Sequence, residues 1–151
     1  MPLSECRAEE QTSMSSIPSD VRSQMMRSIR KSNTAPELSV RKLLRDIGVR
    51  YRLHARDLPG SPDIVLRQKH KAIFVHGCFW HQHPGCKLAK RPSARPEYWL
   101  PKLIHNQERD RLALAALADL MWSVLVVWEC ELNDPELLRT KLKRFVCADR
   151  R

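Results

Sequence analysis

The stretch Val75-His-Gly-Cys-Phe-Trp-His-Gln-His-Pro-Gly-Cys86 puts three histidines, two cysteines and two large aromatic rings into twelve positions. Thiolate and imidazole donors at such close spacing suit tetrahedral zinc. Cys78-x2-His81 and His83-x2-Cys86 are both short enough to close a chelate loop, so spacing leaves either histidine open as a ligand. Cys130, which follows an apolar run, is a candidate remote fourth ligand. Its competing reading is a small buried hydrophobe at a strand end. For the loop cluster itself, metal binding is the favoured reading.

A second kind of chemistry is suggested by Asp63, which follows Pro62 at the start of a short apolar run, and by His76 at the end of another. A carboxylate at a strand start, beside a strand carrying polar groups, is how metal-dependent nucleases hold magnesium against a phosphate. Each residue alone also has an ordinary structural role. Asp63 could cap turn amides, Glu37 could complete a capping box, and His76 could be a satisfied histidine at a strand end. Their weight lies in convergence. Phe79, Trp80 and Trp99 are set among Lys87, Lys90, Arg91 and Arg95. Apolar wedges of this kind can unstack and kink duplex DNA, and the alternative is a small satellite cluster over the metal loop.

These residues need elements to hold them. Residues 1–18 lack periodicity and are expected to form a disordered tail, leaving 19–151 as one domain. A short helix is expected from Asp20, with Val21, Met25 and Ile29 at four-residue spacing. Thr34 and Glu37 form a capping box for a second helix whose stripe is Val40, Leu43, Leu44 and Ile47, ending at Gly48. Val49, Tyr51 and Leu53 then alternate with arginines, as in a strand with one wet face. Leu58-Pro-Gly-Ser-Pro is a turn into the strand Asp63-Ile-Val-Leu, and a polar connection over 67–71 leads to the strand Ala72–His76. The unpatterned segment 77–96 is long enough to be functional or held by something. A helix is expected after Pro101 to about Asp119, with Leu103, Ile104, Leu112, Ala115, Ala116 and Leu120 available for burial. Ser123–Trp128 reads as a central strand covered on both faces, and Asp134-Pro135 opens a last helix that packs Leu138, Leu142 and Phe145. The order ααβββαβα implies an α/β fold, a mixed sheet flanked by helices.

Composition narrows the partner. The 151 residues carry 27 Lys+Arg against 17 Asp+Glu, a formal +10. Such a surplus favours a polyanion, because each neutralised phosphate releases condensed counterions. No run of about 18 apolar residues is present to span a bilayer, and no basic amphipathic helix suits a membrane surface. The start lacks the apolar core of a secretory signal. Five unevenly spread cysteines argue for thiols or metal ligands in a reducing, cytoplasmic setting.

From about Ser19 to Val146 the chain resembles the very short patch repair (Vsr) endonucleases, which have a restriction-endonuclease-like fold. The resemblance is carried by Met26-Arg-Ser-Ile-Arg-Lys-Ser-Asn-Thr-x-Pro-Glu37, Leu58-Pro-Gly-Ser-Pro-Asp63, His76-Gly-Cys-Phe-Trp-His81, Glu97-Tyr-Trp99, Asn106-x-x-Arg-Asp110 and Val127-Trp-Glu-Cys130. It implies magnesium held by Asp63 and by the backbone carbonyl of Val75. It places His81 beside the scissile phosphate with Glu37 orienting it, and His76 where related nucleases carry a lysine, hydrogen-bonded to metal-bound water. It maps a structural zinc onto Cys78, His83, Cys86 and Cys130, and makes Phe79, Trp80 and Trp99 intercalators beside the mismatch. One departure is local: Pro84-Gly85 stand where members often have a single residue, and a Pro-Gly pair turns tightly enough to keep four-coordinate zinc feasible.

The implied activity is magnesium-dependent nicking of duplex DNA 5′ to the thymine of a T·G mismatch left by 5-methylcytosine deamination. The expected protein is a cytoplasmic monomer, with other mismatch-repair proteins as candidate partners and no membrane. Two further readings stay open. One is a non-catalytic zinc protein that marks mismatches, which has no use for Asp63, His76 and His81 together. The other is a restriction-type nuclease that cuts both strands, from which only the aromatic wedge and the family motifs distinguish this chain.

Overall fold

The computed structural model describes residues 32–149. The tail expected over 1–18 and the helix expected from Asp20 lie outside them. Helix α1 (Ala35–Ile47) starts where the capping box places it: Thr34 accepts from the Glu37 amide and Glu37 accepts from the Thr34 amide. It stops at Gly48, whose φ of +82° is a left-handed cap that glycine adopts without strain.

Four strands form one mixed sheet in the order β1 (Arg52–Leu53), β2 (Ile64–Leu66), β3 (Lys71–His76) and β4 (Ser123–Trp128). The first two pairings are antiparallel. β3 and β4 run parallel from Lys71↔Ser123 to His76↔Trp128, joined by α2 (Pro96–Asp119). Helix α3 (Pro135–Cys147) follows a tight turn over Glu129–Asn133 and is capped by Asp134, which accepts from the Leu137 amide at 3.1 Å.

The two-residue alternation of β3 divides the molecule. Ile73 points into a cluster with Ile64, Leu66 and Val127 of the sheet, Val40 and Leu44 of α1, and Leu138, Leu142 and Val146 of α3. Val75 packs against the same cluster. Phe74 and His76 point the other way, their rings 5.6 Å apart, toward the side occupied by α2. The turn before β2 is wedged there too. A Cβ on Gly60 would stand 2.5 Å from the Ala113 Cβ of α2 and 3.2 Å from the Phe74 ring, so only glycine fits. At the start of β3, Lys71 is buried and donates to the carbonyls of Phe145, Val146 and Ala148, while Lys69 donates to Val146 at 2.9 Å. Two cations thus close the carbonyl end of α3, the negative end of its dipole.

Three expectations are corrected. The first strand is only Arg52–Leu53 with Leu53 exposed, because its partner β2 has three residues and offers no longer ladder. Helix α2 begins at Pro96 and runs through Pro101, forgoing one backbone bond there. Its buried residues are Trp99, Leu103, Ala113 and Leu117, whereas Ile104, Leu112 and Leu120 are exposed. β4 is the outer strand of the described sheet, not a central one, and is half-buried along most of its length. Its apolar run reflects helices on both faces, not strands on both edges.

Candidate functional site

The polar residues singled out in the sequence gather where β2 begins and β3 ends. Asp63 immediately precedes β2, and its Oδ2 accepts the Val75 N–H at 2.8 Å, fixing the carboxylate beside the Val75 backbone. Burial pushes the Asp63 carboxyl above its usual range. The Val75 N–H draws it down, the nearby Glu37 carboxylate pushes it up, and His54 and His81 draw it down again. A half-buried carboxylate that is costly to ionise and lies beside a second carboxylate is one that a cation would relieve. Asp63 therefore fits a divalent ion.

Glu37 is 2% exposed, and the guanidinium of Arg41 sits on its Oε1 one helical turn later. His54 completes the group: its backbone N–H donates to the Asp63 carbonyl at 3.0 Å, and its Nε2 is 3.4 Å from Glu37 Oε1. Glu37, His54 and Asp63 bring ligand atoms within 4.8 Å of one another.

The second half of the site lies on the α2 side of the sheet. His76 and His81 stack with ring centroids 3.8 Å apart and planes within 5°. Burial lowers the His76 pKa to about 4, with smaller contributions from its charged neighbours, so its ring is neutral. His81 Nδ1 lies 2.5 Å from Asp110 Oδ2 on α2. The carboxylate that touches His81 is thus Asp110, while Glu37 stands with Arg41, His54 and Asp63. Asn106, one turn before Asp110, donates to the Trp80 carbonyl at 3.1 Å and pins the loop to the helix.

The metal loop closes as well. Cys78, His83, Cys86 and Cys130 place one ligand atom each within 4.8 Å of one another. His83 Nδ1 lies 3.7 Å from Cys78 Sγ and 3.3 Å from Cys130 Sγ, and the Cys130 amide points at Cys78 Sγ. His83 is also stacked on Trp128 at 4.2 Å, whereas His81 is turned to Asp110. The Pro84-Gly85 pair makes the tight turn, with Gly85 at φ +69° and the Cys86 amide donating to the His83 carbonyl. Burial pushes the Cys78 thiol up to about 12. A thiolate there needs a compensating cation, and a Cys3His set could hold one.

Phe79, Trp80 and Trp99 form one aromatic cluster. Phe79 meets both tryptophans edge-on at 5.1 and 5.5 Å, and Trp80 is 6.0 Å from Trp99. Trp99 is buried, Phe79 and Trp80 are half-buried, and the Lys102 ammonium lies over the Trp80 ring at 5.3 Å.

Asp110, Asn106, Arg41 and His54 had no assigned role at the level of sequence. A signal for two of them was present. Trp99, Leu103, Asn106, Asp110, Ala113 and Leu117 follow alternating steps of four and three, one continuous helix face, with two polar residues in its middle.

The family model described as "DNA mismatch endonuclease Vsr" matches residues 16–87. The type II nicking enzyme V.XorIIP of Xanthomonas oryzae pv. oryzae is 48% identical over 81% of this chain and 89% of its own length. The DNA mismatch endonuclease Vsr of Escherichia coli is 41% identical over 85% of each chain. The type II nicking enzyme V.NmeAIP of Neisseria meningitidis is 40% identical over 83% of this chain and 89% of its own. Among solved structures, the catalytic domain of the homing endonuclease I-Bth0305I superposes with a TM-score of 0.53 at 22% identity, covering 75% of this chain and 94% of that one. That likeness concerns the fold alone.

Proposed function

Because the chain belongs to the Vsr family of DNA mismatch endonucleases, we infer that it nicks one strand of duplex DNA 5′ to the thymine of a T·G mismatch and so initiates very short patch repair. The observation that carries this reading is the meeting of Asp63, Val75, His76, His81 and Asp110 at one end of the sheet, beside the aromatic cluster.

Magnesium, held by Asp63 and the Val75 carbonyl, would supply Lewis-acid polarisation of the phosphate and charge stabilisation at the leaving oxygen. The chain does the rest. Asp110 accepts a hydrogen bond from His81 Nδ1–H in the tautomer that leaves the Nε2 lone pair free to take a proton from water near the phosphate. Stacking against neutral His76 fixes the plane of the His81 ring without adding a second positive charge. Phe79 and Trp80, half-buried over Trp99, are the wedge, entering the base stack where a T·G step resists least. Four protein ligands around zinc leave no open position, so that site is structural and holds the wedge loop to the end of β4. On this reading residues 19–151 form one endonuclease domain that acts as a monomer in the cytoplasm. Among the described residues no helix is long and apolar enough to cross a membrane.

The test is a duplex with a different label on each strand, prepared as T·G, C·G and T·A versions and incubated with magnesium. The T·G duplex should be cut once, on the thymine strand, and Asp63→Asn should abolish the cut while leaving DNA affinity intact or raised. Equal cutting of all three duplexes, or of both strands, would refute mismatch nicking and support a restriction-type nuclease.

A further inference from the structure

Phe79 and Trp80 are held by side-chain amides on their two successive backbone carbonyls. Asn106 of α2 donates to the Trp80 carbonyl at 3.1 Å, and Gln82 Nε2 donates to the Phe79 carbonyl at 2.7 Å. The two anchors differ in what stands behind them. Asn106 is carried by a long helix, whereas Gln82 belongs to the loop itself. At its other end Gln82 is held by Arg91, whose Nε donates to Gln82 Oε1 at 3.0 Å. With a carbonyl at one end and a guanidinium at the other, the Gln82 amide has one orientation that satisfies both.

The loop accepts strain to keep this residue in place. Gln82 has φ +51°, a left-handed conformation unfavourable for a residue with a Cβ, and its backbone N–H also reaches the Phe79 carbonyl, at 3.4 Å. Its side chain is buried, and a buried amide bonded at both ends specifies one loop conformation. Arg91 is the opposite case. It is exposed, and among the described residues its guanidinium has no partner besides Gln82. Fixing Nε leaves the Nη1–Nη2 edge, a fork that matches two oxygens of a phosphate. Lys87, Lys90 and Arg95 flank it, and no acidic residue occurs between Asp63 and Glu97 in the chain, a setting that favours a phosphodiester.

We propose that Arg91 binds a DNA phosphate beside the mismatch, and that Gln82 is a positioning residue that ties this phosphate contact to Phe79. The grip on the backbone and the seating of the wedge then come together. The proposal rests on the reading of Phe79 and Trp80 as a wedge in mismatched DNA. Gln82 touches no DNA itself: it aligns the Arg91 fork on one side and holds the Phe79 carbonyl on the other.

The experiment measures binding of the full-length, zinc-loaded protein to a T·G duplex over a range of salt concentrations, without magnesium so that nothing is cut. Each neutralised phosphate releases counterions, so Arg91→Met should lower the slope of log affinity against log salt by about one. Gln82→Met leaves the cation in place but unaligned and should lower the slope nearly as much, and the double variant should lower it no further. A merely structural Gln82 would weaken binding at every salt concentration and leave the slope unchanged, which would overturn the proposal. Replacing the phosphates around the mismatch one at a time by neutral methylphosphonate locates the contact. One linkage should cost wild type about ten-fold in affinity and cost Arg91→Met nothing more. Additive losses at every linkage, or an unchanged slope for Arg91→Met, would also overturn it, and the Arg91 variant alters an exposed side chain, so it decides even if Gln82→Met does not fold. The wedge reading fails separately: a wild type that binds T·G and C·G duplexes equally removes it, whatever the slopes.

Discussion

His76 takes no proton until about pH 4, because its ring is buried between the sheet and His81. An unfolded chain would protonate it near 6.5, so between these values the unfolded state binds more protons. The stability His76 contributes is therefore complete above pH 6.5, declines as pH falls through the window to 4, and is constant below. At most about 3 kcal/mol is involved. Urea denaturation at pH 7, 5.5 and 4.5 should show a shallower acid decline for His76→Gln than for wild type; identical slopes would remove this account. Asp110 is the other residue whose role can be isolated. Its Oδ2 lies 2.5 Å from His81 Nδ1, so on the proposed function Asp110→Asn should keep the fold and lower the nicking rate about 100-fold with little change in DNA affinity. A full-speed Asp110→Asn would leave His81 oriented by something else.

Among the elements, the turn before β2 is the tightest joint. Gly60 has φ +72° and its missing side chain is the space occupied by Ala113 and Phe74. Gly60→Ala combines left-handed strain with a clash against backbone-borne atoms and should destabilise by roughly 2–4 kcal/mol. Gly48→Ala has the same sign of φ but nothing within 4 Å, and should cost only about 1 kcal/mol. Equal losses in the two variants would show that packing at Gly60 matters little. The same turn illustrates what sequence could and could not reveal. Pro62-Asp63 and the capping box of α1 were legible because proline, glycine and cap residues act locally. The burial face of α2 differs from the one its apolar residues suggest, because not every apolar residue of the helix is inward. Its inner stripe is shared with the site, so Asn106 and Asp110 occupy two turns of it and Ile104, Leu112 and Leu120 are left outside. Arg41 escaped notice for a related reason: a buried arginine on an amphipathic helix looks like its solvent face until the partners Glu37 and His54 are brought together by the fold.

For the whole molecule, two kinds of DNA contact should separate. The +10 charge supplies sequence-independent attraction that salt screens. On the proposed function the aromatic cluster would supply discrimination, at about 1–3 kcal/mol for each stacked base. Trp80→Ala should thus weaken binding to a T·G duplex roughly ten-fold, leave binding to matched duplex nearly unchanged, and keep the same salt dependence. Equal weakening on both duplexes would make Trp80 a structural member of its cluster and nothing more.

The ligand set of the proposed zinc also has a consequence for how the protein is made. Cys78, His83 and Cys86 leave the ribosome together, but the amide and thiol of Cys130 that meet Cys78 lie 52 residues later in the chain. Between them come α2 and β4, and the last ligand reaches the others only when β4 has paired in parallel with β3. Metal capture by that set would therefore be a completion signal in biosynthesis: nascent chains halted before residue 130 should exchange zinc freely, and chains that have released residue 147 should hold it against chelator. Full-length Cys130→Ser should behave like the halted chains. If halted chains retained zinc as firmly as complete ones, the loop alone would be the binding unit and β4 would be dispensable to it.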